Sequence, residues 1–223
     1  MFTARLLAQR GLQSENVDEL TVVVMQKLSI TEQDAKAIEQ ATCGQRSEPL
    51  WFSHHKGRVT TSIFKNVCRS KNARCTTLVN RIFNAKTINA PAVQYGIANE
   101  AVAKERLLGY LEGLHSNARI EDYGLMMNPK YPLLGCSPDG IFRCECHEPS
   151  LVEVKCLYSL RDCNPSELLA EGLKKNGFCL SADGRLTVIH AYYYQVQAQL
   201  HLKLENIQQG YFYVYVEEAG TWW

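Results

Sequence analysis

Three charged side chains stand in the stretch CSPDGIFRCECHEPSLVEVKC, residues 136–156, whose apolar neighbours ask for burial. Asp139 follows Pro138, and Glu153 and Lys155 interrupt a run made of Leu151, Val152, Val154 and Leu157. Side chains alternate along a strand, so Glu153 and Lys155 share one face and Val152, Val154 and Cys156 the other. Pro138 has no N–H for a ladder, so the preceding strand should bend there and re-aim Asp139. The two carboxylates then converge on one ion. With a main-chain carbonyl they make a hard oxygen site that suits magnesium or manganese better than zinc. Lys155 is placed to hold or deprotonate a water, or to meet charge developing on a phosphate. The bland alternative is a salt-bridged surface hairpin.

Two helices offer more polar groups. In GIANE (96–100), Glu100 projects from an apolar stripe of Val93, Ile97, Leu107, Leu108 and Leu111. A buried lone carboxylate costs several kcal/mol, so a metal or Lys104, one turn on, should relieve it. In AYYYQVQAQLHL (191–202), Tyr192, Gln195 and Gln199 fall on one face at i, i+3 and i+7. Nine cysteines, an odd number at irregular spacing, contain one tight cluster, Cys144-Glu-Cys146-His147. Cys136 or Cys156 would be the fourth ligand if that cluster held zinc; free thiols in a reducing compartment are the plainer reading.

These residues need elements to hold them. Short helices are expected near 3–10, 16–28 and 31–42, the third capped from the stretch Ser29-Ile-Thr31-Glu-Gln-Asp34, before Cys43–Pro49 breaks the pattern. That break divides the chain into an N-terminal helical appendage, 1–45, and a main domain, 46–223. Helices are expected over 60–69, 76–84, 93–114, 166–175 (capped by Ser166) and 189–204. Strands are expected at 132–143 and 150–157, joined as a hairpin, and at 210–218. The order describes a mixed α/β (α+β) domain with helices flanking a central mixed sheet, not a doubly wound fold.

The chain has 223 residues and a net charge of +1, but the charge is unevenly placed. From Trp51 to Asn99 there is no acid, against the cations Lys56, Arg58, Lys65, Arg69, Lys71, Arg74, Arg81 and Lys86. A local positive field of this kind suits a polyanion such as nucleic acid. No apolar run approaches a membrane span. MFTARLLAQR is basic and amphipathic, a weak likeness to a mitochondrial targeting segment; an ordinary N-terminal helix in a nuclear or cytoplasmic protein is favoured.

Taken in order, WFSHHKGRVTTS, GIANE, SPDG, EVK and YYYQVQ resemble the motif series of the lambda exonuclease-like, YqaJ viral recombinase family of PD-(D/E)XK nucleases, over about residues 51–216. The resemblance implies a restriction-endonuclease-like core and a magnesium-dependent 5′-to-3′ exonuclease on duplex DNA, manganese substituting. An endonuclease on the same core, or an inactive nucleic-acid-binding module, is the alternative. It implies Asp139, Glu153 and the Val154 carbonyl as metal ligands, and Glu100 as an extra acid that binds through water or holds a second ion. Lys155 resembles the catalytic lysine and Gln195 the glutamine that steadies it. Ser62 and Ser137 resemble hydroxyls that contact DNA phosphate, with Arg58 joining them electrostatically. Where the family carries an arginine for a terminal 5′-phosphate this chain has His55, so that role falls to a protonated His55, to Lys56 or to Arg58, or else the selection of 5′-phosphorylated ends is relaxed. Some relatives form ring-shaped trimers, and a single-strand-annealing protein is an implied companion in recombination or repair.

Overall fold

Strand pairing around residues 150–156 organises the molecule. The computed structural model describes residues 17–71, 75–84, 89–202 and 206–217; the helix expected at 3–10 lies outside them. The chain enters through α1 (Val17–Leu28) and α2 (Glu32–Gln40), the latter started by a capping box between Thr31 and Asp34. Next come α3 (Pro49–His55) and β1 (Val59–Thr60). A 3-10 turn over Thr61–Ile63 runs into α4 (Phe64–Cys68), followed by α5 (Thr76–Phe83) and the long α6 (Pro91–Glu112). Then follow β2 (Arg119–Glu121), β3 (Leu134–Gly135), β4 (Gly140–Arg143) and β5 (Ser150–Cys156). The last elements are α7 (Leu168–Leu173), α8 (Ala191–Leu202) and β6 (Gly210–Tyr215).

The main sheet has the order β2-β4-β5-β6; β4 is antiparallel to β2 and β5, whereas β5 and β6 are parallel. This is the mixed sheet expected. On one face α6 sets Ala103, Leu107 and Leu111 against Phe142, Val152, Val154 and Tyr215. On the other, Ile141 and Leu151 pack with Ile207 and Leu200, the last from α8. Strand β5 is therefore covered on both sides, which is why its sequence reads as an apolar run. Its two charged residues sit on the α8 side.

Several expectations are corrected. The strand expected over 132–143 is two strands, because Pro138 interrupts the ladder: β3 pairs with β1 in a separate parallel pair, and only β4 pairs with β5. The helix expected over 60–69 begins as a 3-10 turn. Asn164, not Ser166, caps the turn before α7, accepting the Ser166 N–H at 3.0 Å. Ile97 is 47% exposed, so the buried stripe of α6 is Ala103, Leu107 and Leu111.

Residues on either side of the expected boundary are hydrogen-bonded to one another. Glu39 accepts the Gly124 N–H at 3.1 Å, and Thr42 Oγ1 the Leu125 N–H at 2.8 Å. The Gln45 amide donates to the carbonyls of Tyr123 (3.1 Å) and Pro138 (2.8 Å). Gly124 permits this approach, since a β-carbon there would strike the Glu39 carbonyl. Gly140 does the same for the sheet: a β-carbon would lie 2.6 Å from the Ile120 side chain.

Candidate active site

Because Pro138 ends the ladder, β5 continues past its partner with one backbone N–H unclaimed by a neighbouring carbonyl. Asp139 supplies the acceptor: its Oδ2 takes the Val154 N–H at 2.7 Å, while its own N–H donates to Val152 O at 3.1 Å. In a strand the N–H and C=O of one residue point to the same side, so the Val154 carbonyl faces the Asp139 side as well. The bend anticipated at Pro138 thus places Asp139 beside β5.

Glu153 is 1% exposed. Such a carboxylate persists only with donors around it. Gln195 Nε2 donates to Oε1 at 2.5 Å and Gln199 Nε2 to Oε2 at 2.8 Å, both from α8, and Lys155 forms an ion pair with Oε1. The ring of Tyr192, from the same helical face, lies 4.9 Å from Lys155 Nζ, in cation–π contact. Burial alone would lower the affinity of Lys155 for its proton; the carboxylates of Glu153 and Asp139 outweigh it and raise its pKa. Asp139 responds the other way. Burial, reinforced by the negative charges of Glu153 and Glu100 and only partly offset by Lys155 and the Val154 N–H, pushes its carboxyl up to about 8.

Glu100 reaches this centre as a source of field and is not buried as expected: its side chain is 39% exposed. Lys104 stands 3.7 Å from it, as anticipated, and also binds Asp122 Oδ1 (2.7 Å) and Asp139 O (3.1 Å). Glu100, Asp139 and Glu153 do not bring one oxygen each into a single tight group. Among the described residues the only group of three His, Cys, Asp or Glu side chains whose ligand atoms come that close is elsewhere, at His115, Cys144 and Cys146, with nitrogen and sulfur donors. The physical reason is that Glu153 is held by two amides and an ammonium, and Asp139 by a backbone N–H.

The expected phosphate contacts divide. Ser137 accepts the Trp51 indole N–H at 2.8 Å, tying the SPDG turn to α3. Ser62 is exposed on the 3-10 turn packed against α8, its hydroxyl 3.0 Å from that of Thr60. Lys56 is exposed and lines a cleft of about 470 Å³ with Lys27, Asp34 and Ser53.

Two assignments are corrected. The guanidinium of Arg58 is buried and spent on three backbone carbonyls, Pro132 (3.1 Å), His54 (2.7 Å) and Leu28 (3.0 Å), so it braces the fold and leaves no fork for a phosphate. Burial moves the pKa of His55 down to about 4; its Nδ1–H donates to Trp51 O at 2.7 Å and its ring packs on the indole. The ring is neutral at physiological pH and offers a phosphate no charge. Sequence reasoning missed Trp51, Gln45 and Lys104 as supports of Ser137 and Asp139; their bonds span 86, 93 and 35 residues and leave no local pattern. Gln199 and Tyr192 did leave one, the i, i+3, i+7 spacing.

The fold is shared with solved nucleases. The chain is similar to an alkaline exonuclease from Laribacter hongkongensis (22% identity, TM-score 0.53, 75% of this chain and 73% of that one), a protein also solved with dAMP. It is similar to SOX in a SOX–DNA complex (16% identity, TM-score 0.54), covering 82% of this chain but only 57% of that one. It also resembles the shutoff and exonuclease protein of Kaposi's sarcoma-associated herpesvirus (14% identity, TM-score 0.51, 95% of this chain and 66% of that one). The common architecture is PD-(D/E)XK-like. No curated protein matches the chain. The profile of the viral alkaline exonucleases matches residues 4–159, a span that includes Asp139, Glu153 and Lys155 and ends before α8. The chain belongs to the viral alkaline exonuclease family.

Proposed function

We propose that the protein is a divalent-metal-dependent deoxyribonuclease that degrades duplex DNA from its ends, 5′ to 3′. The observation that carries this reading is the buried Glu153, held by Lys155, Gln195 and Gln199 beside an Asp139 whose carboxyl is pushed up to about 8. Such a shift is what burial of a carboxyl beside the negative charges of Glu153 and Glu100 produces, and a hard divalent cation is the partner that buried oxygen donors of this kind accept. Asp139, Glu153 and the Val154 carbonyl would hold it, with Glu100 acting through water or at a second ion. When bound, magnesium supplies Lewis-acid polarisation of the phosphodiester and a more acidic water.

The rest falls to the chain's own groups. Glu153 fixes the position of Lys155, and the Tyr192 ring contacts the ammonium. The ammonium orients the attacking water and meets charge that develops on the phosphate. Gln195 and Gln199 keep Glu153 from turning away. Ser62 and Ser137 contact the DNA backbone, with exposed Lys56, Arg69, Lys71 and Arg81 adding an attractive field.

The test is incubation with labelled linear and circular duplex, with magnesium or with chelator. Loss of linear DNA alone, only with magnesium, is expected. Loss of both substrates would make it an endonuclease, and binding without cleavage would overturn the reading. Asp139→Ala, Glu153→Ala and Lys155→Ala should each lower cleavage by at least ~100-fold. Unchanged cleavage by any one removes its assigned role.

A further inference from the structure

The turn after α6 and the turn between β4 and β5 meet at the end of the sheet opposite Asp139. There Cys144 Sγ lies 3.8 Å from His115 Nδ1, and one ligand atom each from His115, Cys144 and Cys146 lies within 4.8 Å of the others. We propose that His115, Cys144, Cys146 and His147 form a structural zinc site, independent of the acidic centre and of the nuclease reading.

The distances fit the metal. Zinc–sulfur bonds of ~2.3 Å and zinc–nitrogen bonds of ~2.0–2.1 Å in a tetrahedron give a sulfur–nitrogen edge of about 3.5 Å. The surroundings have the character of a support shell. The Tyr211 hydroxyl lies 3.5 Å from His115 Nε2, which leaves Nδ1 as the ligand atom facing Cys144. The Ser116 backbone N–H points at Cys146 Sγ at 3.4 Å. His147 lies outside that group of three: its Nδ1 is 2.6 Å from the Glu148 carbonyl and 3.3 Å from Gln209 Nε2, and its ring is 5.0 Å from that of His115, so a rotation of its side chain would bring Nε2 in as the fourth ligand. Buried Phe142 contacts both imidazoles, joining the site to the core.

Neither of the two cysteines first considered as fourth ligand takes part. Cys136 is buried among Met126 and Leu202, and Cys156 packs at the other end of β5. His115 comes instead from a turn 29 residues earlier. Asp139 and Cys144 flank the two ends of β4, about 17 Å apart at strand rise. Two thiolates with two imidazoles select zinc, whereas the oxygen donors at the far end select magnesium. A metal here clamps the hairpin that carries both Asp139 and Glu153.

The full chain, purified without chelator and reconstituted with zinc, should hold about one zinc per chain that excess magnesium does not displace. Cys144→Ser and Cys146→Ser should each reduce bound zinc to background, and Asp139→Ala should retain it. His147→Ala should weaken binding by at least about tenfold; unchanged affinity overturns the fourth ligand. Removing zinc with a strong chelator should lower the melting temperature by several degrees, and zinc, not magnesium, should restore it. Where the cysteine variants do not fold, cobalt titration of the metal-free wild type decides: a thiolate-to-cobalt band saturating at one equivalent supports the site. A wild type that holds no zinc, zinc that survives loss of both cysteines, zinc lost in Asp139→Ala, or no such band overturns it.

Discussion

Gln199 donates its side-chain amide to Glu153 at 2.8 Å, and each residue is only 1% exposed. A buried carboxylate oxygen that loses its donor bears the cost of its desolvation, about 1–3 kcal/mol. Gln199→Leu should therefore destabilise the protein by roughly that amount in urea unfolding. The loss should shrink when Glu153 is already Gln, since the charge it served has gone; equal losses in both backgrounds would show that the amide supports packing alone.

The carboxyl of Asp139 gives the metal-free protein a definite pH response. Its folded pKa is about 8 against an ordinary 3.8, so the folded state binds the extra proton between those values. Stability from this group is full below the ordinary value and is lost as pH rises through the window to about 8. With chelator present, the urea midpoint should fall over that range, and Asp139→Asn should flatten the fall. A wild-type midpoint that rises with pH no less steeply than that of the variant would contradict the assignment.

Arg58 and Lys56 should separate cleanly. Arg58→Ala should cost stability, on the order of 1–3 kcal/mol from three orphaned carbonyls. It should leave the salt dependence of DNA binding at its wild-type slope. Lys56→Ala should do the reverse, leaving stability unchanged and shallowing the slope by about one counterion. The contrast is read from paired melts and binding isotherms at several salt concentrations.

His55 becomes cationic only near pH 4. The terminal phosphate itself takes up a proton between pH 8 and pH 5 (second pKa of ~6), so the pH dependence of affinity for 5′-phosphorylated ends should be the same in the wild type and in His55→Gln, whereas an ordinary histidine with a pKa of ~6.5 would make the two differ. His55→Arg introduces a permanent charge and should sharpen the preference for phosphorylated over hydroxyl ends. Competition between the two duplexes measures both effects.

How far the sequence carries is a matter of range. The shared face of Glu153 and Lys155, the break at Pro138 and the row Tyr192, Gln195, Gln199 are local, because strand and helix periods repeat within a few residues. The mixed sheet followed from the same patterns. The pairing of β1 with β3 did not, since two residues are too few to show alternation. Arg58 read as a surface cation because nothing nearby announces that three carbonyls converge on it. His115 was invisible as a partner of Cys144 for the same reason: the turn that joins them is made by tertiary packing.

The bond from Gln45 to the Pro138 carbonyl has a consequence for how the chain is made. Its two ends are 93 residues apart, so at ~5–20 residues per second of synthesis the first helices wait roughly 5–20 s for their docking partner to emerge. Over that interval the polar groups of Glu39, Thr42 and Gln45 face water or a chaperone. Docking on the Asp139 turn is therefore a late step of synthesis, and the yield of folded protein should respond to translation speed.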